Sequence, residues 1–214
     1  MGEFSKTIEY TGVRIDTTPG DVRSLCKQAQ LNNYRAICIN SGFIGVAFEE
    51  LKDVDDVIIV CTAGFPVGGA SREGKIYEAI RASERGAKEI DYMINIGNVK
   101  DRKDKETRGE IKQIVRNTKG LSEVKIVIEA PVLTPEEISR VCNMAVEEEA
   151  AYIVTATGFN GPVTAETVKN IKSIVGDKVK IKAAGGIEDI ETVKAMLRAG
   201  ADTIGTEKLI KFED

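Results

Sequence analysis

The apolar positions of this chain fall into short β-branched runs, separated by longer stretches with helical spacing. The runs predict strands at Ile8–Gly12, Arg35–Asn40, Val57–Ala63, Glu89–Asn95, Lys125–Ala130, Tyr152–Thr157, Val179–Ala184 and Asp202–Thr206. Several of them do not alternate. Val57-Ile58-Ile59-Val60 and Ile126-Val127-Ile128 are apolar throughout, the pattern of parallel strands covered on both faces. The stretches between carry helix punctuation. Thr134-Pro135-Glu136-Glu137 reads as an N-cap, a proline in the first turn and a capping-box glutamate, with Ile138, Val141, Cys142 and Ala145 on one face. Thr164 opens a further helix with Val168, Ile171 and Val175 inward and Gly176 at its end. Another begins near Asp189, uses Ile190, Val193 and Leu197, and stops at Gly200.

A weak internal repeat supports this alternation. Gly86-Ala87-Lys88-Glu89-Ile90 and Gly200-Ala201-Asp202-Thr203-Ile204 are the same helix-stop, strand-start device, and Ala150-Ala151-Tyr152-Ile153 is a degenerate copy. The charged run Lys100–Glu106 reads as a solvated loop, and there is no linker or low-complexity stretch. Eight such units over residues 1–214 fit a single-domain (β/α)8 TIM barrel. An open doubly wound sheet is the rival; it needs fewer units and usually has a glycine-rich first turn, and no G-x-G-x-x-G follows the first run.

Composition narrows the chemistry. The 214 residues include no His and no Trp. Ser-His-Asp triads, Cys-His dyads, H-E-x-x-H zinc sites and His-ligated haem or copper are therefore excluded, and acid–base work falls to Asp, Glu, Lys, Tyr or Cys. A net charge of −4 lacks the basic excess of a nucleic-acid binder. Cys26, Cys38, Cys61 and Cys142 are widely spaced without a C-x-x-C, and read as buried small hydrophobes of a reducing compartment. The N-terminal residues lack an uninterrupted apolar stretch, so neither signal peptide nor membrane anchor is expected, and a cytoplasmic location is. No metal or cofactor is expected.

In a TIM barrel the polar groups at the C-terminal ends of the strands form the active site. Asp91 interrupts Glu89–Asn95, Lys182 lies in Val179–Ala184, Glu129 follows Ile126-Val127-Ile128, and Asn40 ends Ile37-Cys38-Ile39. A lysine desolvated inside a barrel has a depressed pKa and can offer a free amine to a carbonyl carbon; the bland alternative is that Lys180 and Lys182 share a strand face and both reach solvent. Asp91 is a general acid/base or a structural carboxylate, and in either role it needs a partner. Gly185-Gly186 and Gly205-Thr206 follow the seventh and eighth runs, the usual barrel position for holding a phosphate. Glu188, Asp189 and Glu207 stand close by and would oppose an anion unless Lys208 offsets them.

Several segments together resemble the deoxyribose-phosphate aldolase family over almost the whole chain. They are Arg35–Asn40, Cys61-Thr62-Ala63-Gly64-Phe65-Pro66-Val67-Gly68, Gly86–Gly97, Val124–Glu129 with Leu133-Thr134, Thr155-Ala156-Thr157-Gly158-Phe159, Lys182-Ala183-Ala184-Gly185-Gly186-Ile187 and Ala199–Thr206. The resemblance implies a (β/α)8 barrel and a class I mechanism without metal. In that mechanism a strand-six lysine forms a Schiff base with acetaldehyde, a strand-seven lysine lowers its pKa, and a strand-four aspartate assists proton transfer. Asp91 matches the aspartate and Lys182 the second lysine. The Schiff-base position is Val154; Ile-Asp-His-Thr reads Ile8-Glu9-Tyr10-Thr11, the serine of Thr-Ser-Thr-Gly is Ala156, and Gly-Thr-Ser-Ser reads Gly205-Thr206-Glu207-Lys208.

The resemblance implies Lys182 and Asp91 as the catalytic pair, with Glu9, Thr155, Gly158, Gly185, Gly186, Gly205 and Thr206 binding substrate. Its partners would be a small aldehyde or sugar phosphate and further copies of the chain. The first reading is a deoxyribose-phosphate aldolase-like lyase with Lys182 as the imine-forming amine. The alternative is a catalytically silent or repurposed barrel. An isomerase or retro-aldolase acting on another small carbonyl would use the same residues.

Overall fold

Strands that are apolar on both faces need cover on both sides, and the chain provides it by closing its sheet into a ring. The computed structural model describes residues 2–211. Its strands are β1 (Ile8–Gly12), β2 (Ala36–Asn40), β3 (Ile58–Ala63), β4 (Glu89–Met93), β5 (Glu123–Val127), β6 (Tyr152–Val154), β7 (Lys180–Ala184) and β8 (Thr203–Thr206). They pair in parallel in chain order, and β8 returns to β1 with Ile8 opposite Ile204. A short α1 (Gly2–Ser5) precedes the barrel. Around it run α2 (Pro19–Leu31), α3 (Ile44–Leu51), α4 (Arg72–Glu84), α5 (Ile96–Lys100), α6 (Asp104–Thr118), α7 (Pro135–Glu147), α8 (Ala165–Val175) and α9 (Ile190–Arg198). The closed (β/α)8 barrel matches the architecture expected from the alternation of runs.

One parity of each strand faces the helices, and the main core lies between the two layers. Ile37, Ile39, Ile59, Cys61, Ile90, Tyr92, Ile126, Ile153, Ile181 and Ile204 pack there against helical residues such as Ala29, Ala79, Ile111, Val141, Val168 and Val193. The four cysteines are buried and unpaired. The expected caps form: Thr134 and Glu137 close a capping box, Thr164 accepts from Thr167 N, and Asp189 accepts from Thr192 N. A second capping box, Thr18 with Asp21 ahead of Pro19, was equally readable in the sequence and was missed.

The repeat is one physical device. Gly86 and Gly200 sit at φ 110° and 108°, and the next residue donates back across the helix end, from Ala87 N to Ala82 O and from Ala201 N to Met196 O. The degenerate copy uses Glu149 at φ 59° before Ala150, whose N–H reaches Ala145 O; a fourth copy uses Asn33 at φ 52° before Tyr34, bonded to Ala29 O. Each copy ends a helix and aims the chain into the bottom of the barrel.

Some boundaries differ from expectation. Lys100–Glu106 is not a free loop: Lys100 ends α5, and Asp104 and Glu106 occupy the first turn of α6, where carboxylates meet the positive helix end. The buried side of α6 is Thr107, Glu110, Ile111, Ile114 and Thr118, a stripe too polar to read as helical from hydrophobicity. The fourth, fifth and sixth strands are shorter than the apolar runs that announce them. Ladder pairing stops at the flaring mouth while the apolar side chains continue into packed loops, and Glu129 already lies in a left-handed conformation at φ 51°.

Candidate active site

Inside the barrel the inward parity of β1, β4, β5 and β7 carries charges, which makes partners compulsory. Successive inward positions on β4 are Glu89 and Asp91; β1 contributes Glu9, β5 Lys125 and β7 Lys182, all buried. Arg35, at the foot of β2, reaches in from below. Its guanidinium donates to both oxygens of Glu89, one at 3.0 Å, and to Glu9 at 3.2 Å. Lys125 Nζ lies 2.5 Å from both Glu9 Oε1 and Glu89 Oε2, and 4.6 Å from the Tyr152 ring centroid. Lys182 Nζ tops the ladder, 2.6 Å from Glu9 Oε2 and 2.6 Å from Asp91 Oδ2. Three cations thus alternate with three carboxylates from the foot of the barrel to its mouth.

This corrects the expected state of Lys182. Burial alone would pull its pKa down, but the negative charges around it, led by Asp91 and including Glu9, outweigh burial and hold it well above the usual lysine value. It rests as an ammonium ion. Burial likewise opposes ionisation of Glu9, yet Lys125, Lys182 and Arg35 keep its carboxyl far below the ordinary range. Nor does Lys182 share the fate of Lys180: Lys182 is 1% exposed, whereas Lys180 is exposed at the foot of β7, 5.1 Å from the Tyr152 ring centroid. Room for Lys182 comes from Gly205 on β8, where a Cβ would stand 2.9 Å from Lys182 Cε.

Above Lys182 a cleft of about 410 Å³ opens at the C-terminal ends of the strands. Asp91, Lys182, Cys38 and Thr62 form its polar floor, beside Val127 and Val154, which pack with Met93. Val154 pairs in register with Lys182, so an apolar side chain stands next to the ammonium. Asp91 Oδ2 accepts from Lys182 and, at 3.4 Å, from the Cys38 thiol, whose pKa burial drives well up. Asp91 Oδ1 is buried and has no hydrogen-bond partner among the described residues. It is an acceptor left without a donor among them.

The residues singled out in the sequence separate into two groups. Lys182, Asp91, Gly158, Gly185, Gly186, Gly205 and Thr206 all line the cleft. Glu9 and Thr155 do not: Glu9 is sealed below Lys182, and Thr155 Oγ1 ties β6 to β7 by donating to Ala184 O at 2.8 Å and accepting from Ala184 N at 2.9 Å. Glu129 accepts from Thr157 N and from Asn160 Nδ2 and so fixes the loop after β6, while Asn40 accepts from Thr62 Oγ1. The ladder members Lys125, Glu89 and Arg35 were missed. The signal for Lys125 was the same one that marked Lys182, a charge inside an apolar strand. Among the described residues no group of three or more His, Cys, Asp or Glu side chains is placed to hold a metal ion, and no helix is long and apolar enough to cross a membrane.

No family model matches the chain. Individual relatives do. It is 38% identical over 213 residues to the deoxyribose-phosphate aldolase of Natranaerobius thermophilus, spanning 99% of this chain and 96% of that one. It is 39% identical over 205 residues to the enzyme of the same name from a Geobacillus species, spanning 95% and 91%. Among solved structures it superimposes on an aldolase designated QR15 with a TM-score of 0.91 at 32% identity, covering 97% of this chain and 92% of that one. The tetrameric deoxyribose phosphate aldolase of Aeropyrum pernix gives 0.89 at 26% identity, with 95% and 86% covered.

Proposed function

The chain belongs to the deoxyribose-phosphate aldolase family, and from that premise we propose that it is a class I aldehyde-lyase in which Lys182 is the imine-forming amine and Asp91 its proton partner. The observation that carries this reading is the Lys182–Asp91 contact of 2.6 Å at the floor of the cleft, with Asp91 Oδ1 free of any hydrogen bond among the described residues. The resting ammonium has no lone pair, so the cycle begins when Lys182 loses a proton to the water of the cleft. The amine then adds to the substrate carbonyl carbon; the oxygen receives one proton from the nitrogen and one that Asp91 relays from water, and leaves as water. In the imine the positive nitrogen withdraws electrons. Asp91 takes the proton of the β-hydroxyl as the carbon–carbon bond breaks, releasing one aldehyde and leaving an enamine. The enamine carbon takes that proton back, and water hydrolyses the imine to the second aldehyde and free Lys182.

Glu9 keeps its charge throughout, held by Lys125 and Arg35, and so anchors Lys182 without competing for its proton. Gly158, Gly185, Gly186, Gly205 and Thr206 supply the surface on which the rest of the substrate lies. Supported by the tetrameric Aeropyrum relative, assembly from several copies is part of the same reading, checked by light scattering on the purified protein.

A second reading is favoured by one observation, Val154 standing where the resemblance implies the Schiff-base lysine. Here the barrel binds a small carbonyl compound without forming an imine. Incubation with acetaldehyde, borohydride reduction and peptide mapping separate the two. The lyase reading expects a stable two-carbon adduct on Lys182 that is absent in Lys182→Leu. A folded protein with no adduct across a panel of small aldehydes and ketones supports the second reading instead.

A further inference from the structure

Apolar and charged side chains both line the mouth of the cleft. Phe65 and Phe159 meet edge-to-face with centroids 5.8 Å apart, and Val13, Ile15 and Ile187 add to the apolar lining; Ile15 is 99% exposed. The ends of β7 and β8 are where a barrel of this kind would grip a phosphate through surplus positive charge and free donors. Positive charge is not in surplus here. The charged lining consists of Arg14, Lys182 and Lys208 against Asp91, Glu188 and Glu207. Lys182 is committed to Asp91 and Glu9, and Arg14 is paired with Asp16 at 3.1 Å. That leaves Lys208 set against two exposed carboxylates in the lining, Glu188 and Glu207.

The hydroxyl at the end of β8 is spent as well. Thr206 Oγ1 donates to Ile187 O at 2.6 Å and accepts from Lys208 N at 3.0 Å. The first turn of α9 already has an anion of its own, because the Asp189 carboxylate accepts from Thr192 N at 2.8 Å and from Thr192 Oγ1 at 3.0 Å. A phosphate dianion entering here would meet the Glu188 and Glu207 carboxylates at both strand ends and lose hydration against like charge. An uncharged chain would lose little there, and would gain contact with the apolar side chains of the mouth.

We propose that the cleft selects substrates whose distal end is uncharged, short unphosphorylated aldehydes and sugars, and that Glu188 and Glu207 are the residues that reject the phosphorylated counterpart. This rests on the lyase reading for its chemistry and on the cleft alone for its selectivity. The test compares kcat/KM for cleavage of 2-deoxyribose and of 2-deoxyribose 5-phosphate, in the parent protein and in a Glu188→Ser, Glu207→Ser double variant. The parent is expected to favour the unphosphorylated sugar by at least about tenfold, and the double variant to shift that ratio toward the phosphorylated sugar by about tenfold, the scale of removing two like charges from an exposed rim at low salt. A parent that prefers the phosphorylated sugar, or a ratio the double variant leaves unmoved, overturns the proposal. Should neither sugar be cleaved, the borohydride adduct reports on the lyase reading separately. Ligand-observed NMR titration of the two sugars then decides selectivity, with equal or tighter binding of the phosphorylated sugar counting against it.

Discussion

Lys75 and Lys182 are both 1% exposed and both ion-paired, yet they do different things. Lys75, on α4, lies outside the sheet. Its ammonium donates to Gly68 O and Met93 O, each at 2.9 Å, and pairs with Glu110 of α6 while lying 5.1 Å from the Tyr92 ring centroid. All three of its protons are directed at acceptors, and a Cβ at Gly64 would stand 2.3 Å from its Cδ, so the chain closes directly over it. Lys182 is equally buried but has a cleft above it. Burial and pairing are therefore shared by a brace and by a candidate nucleophile; the cleft beside the ammonium is what separates them.

The strongest way to break this contrast is to remove each lysine in turn. Lys182→Leu is expected to abolish the acetaldehyde adduct and all cleavage activity. Lys75→Met is expected to keep the adduct on Lys182 while costing about 3–5 kcal/mol of stability, the usual result of leaving a buried carboxylate, here Glu110, without its partner. Denaturant unfolding and peptide mapping read the two effects separately. An adduct lost equally in both variants would erase the distinction.

Val154→Lys places a second cation in register with Lys182. Like charge disfavours the ammonium form, so the rate of imine trapping at neutral pH is expected to rise by about tenfold or more, the equivalent of one unit of pKa. Stability should fall by about 1–3 kcal/mol, because the new amine enters the apolar cluster of Met93 and Val127. An unchanged trapping rate in a folded variant would mean that Lys182 is not limited by its proton.

The parent protein sharpens the same point through pH. Because the Lys182 ammonium is stabilised, imine-trapping rate should climb from neutral into alkaline pH, approaching about tenfold per unit, without a neutral maximum. The accompanying stability is present below the ordinary lysine value of 10.5 and is lost only as pH rises beyond it through the raised folded value. Glu9 has the opposite sign. Its depressed pKa contributes stability that is complete above the ordinary value of 4.5 and fades as pH falls below it. The smallest expected effect is thus a Tm advantage over Glu9→Gln that narrows between about pH 4.5 and pH 2; an advantage that is flat with pH would show that Glu9 is not held by Lys125 and Lys182.

Much of the molecule was legible beforehand, for reasons that differ by element. The strands were visible because a parallel strand buried on both faces needs an unbroken apolar run, and Thr134, Thr164 and Asp189 were visible because caps depend on residues three apart. α6 was not, since its buried face includes Thr107 and Thr118, which bond to their own helix, and Glu110, whose place inside depends on Lys75 from another helix. Glu9 and Thr155 were identified as part of the site, but only the barrel's stagger shows that one lies beneath Lys182 and the other faces its neighbouring strand.

The amino-acid sequence by itself determined the barrel, the absence of histidine chemistry, and the presence of Lys182, Asp91 and Val154 at the ends of particular strands. These follow from local periodicity and residue identity. The tertiary structure decided the protonation of Lys182. That depends on Asp91, 91 residues away, and on Glu9, on the first strand, both brought within 2.6 Å. Electrostatic state is set by distance in space inside a low-dielectric interior, and those distances exist only once the eighth strand has closed on the first.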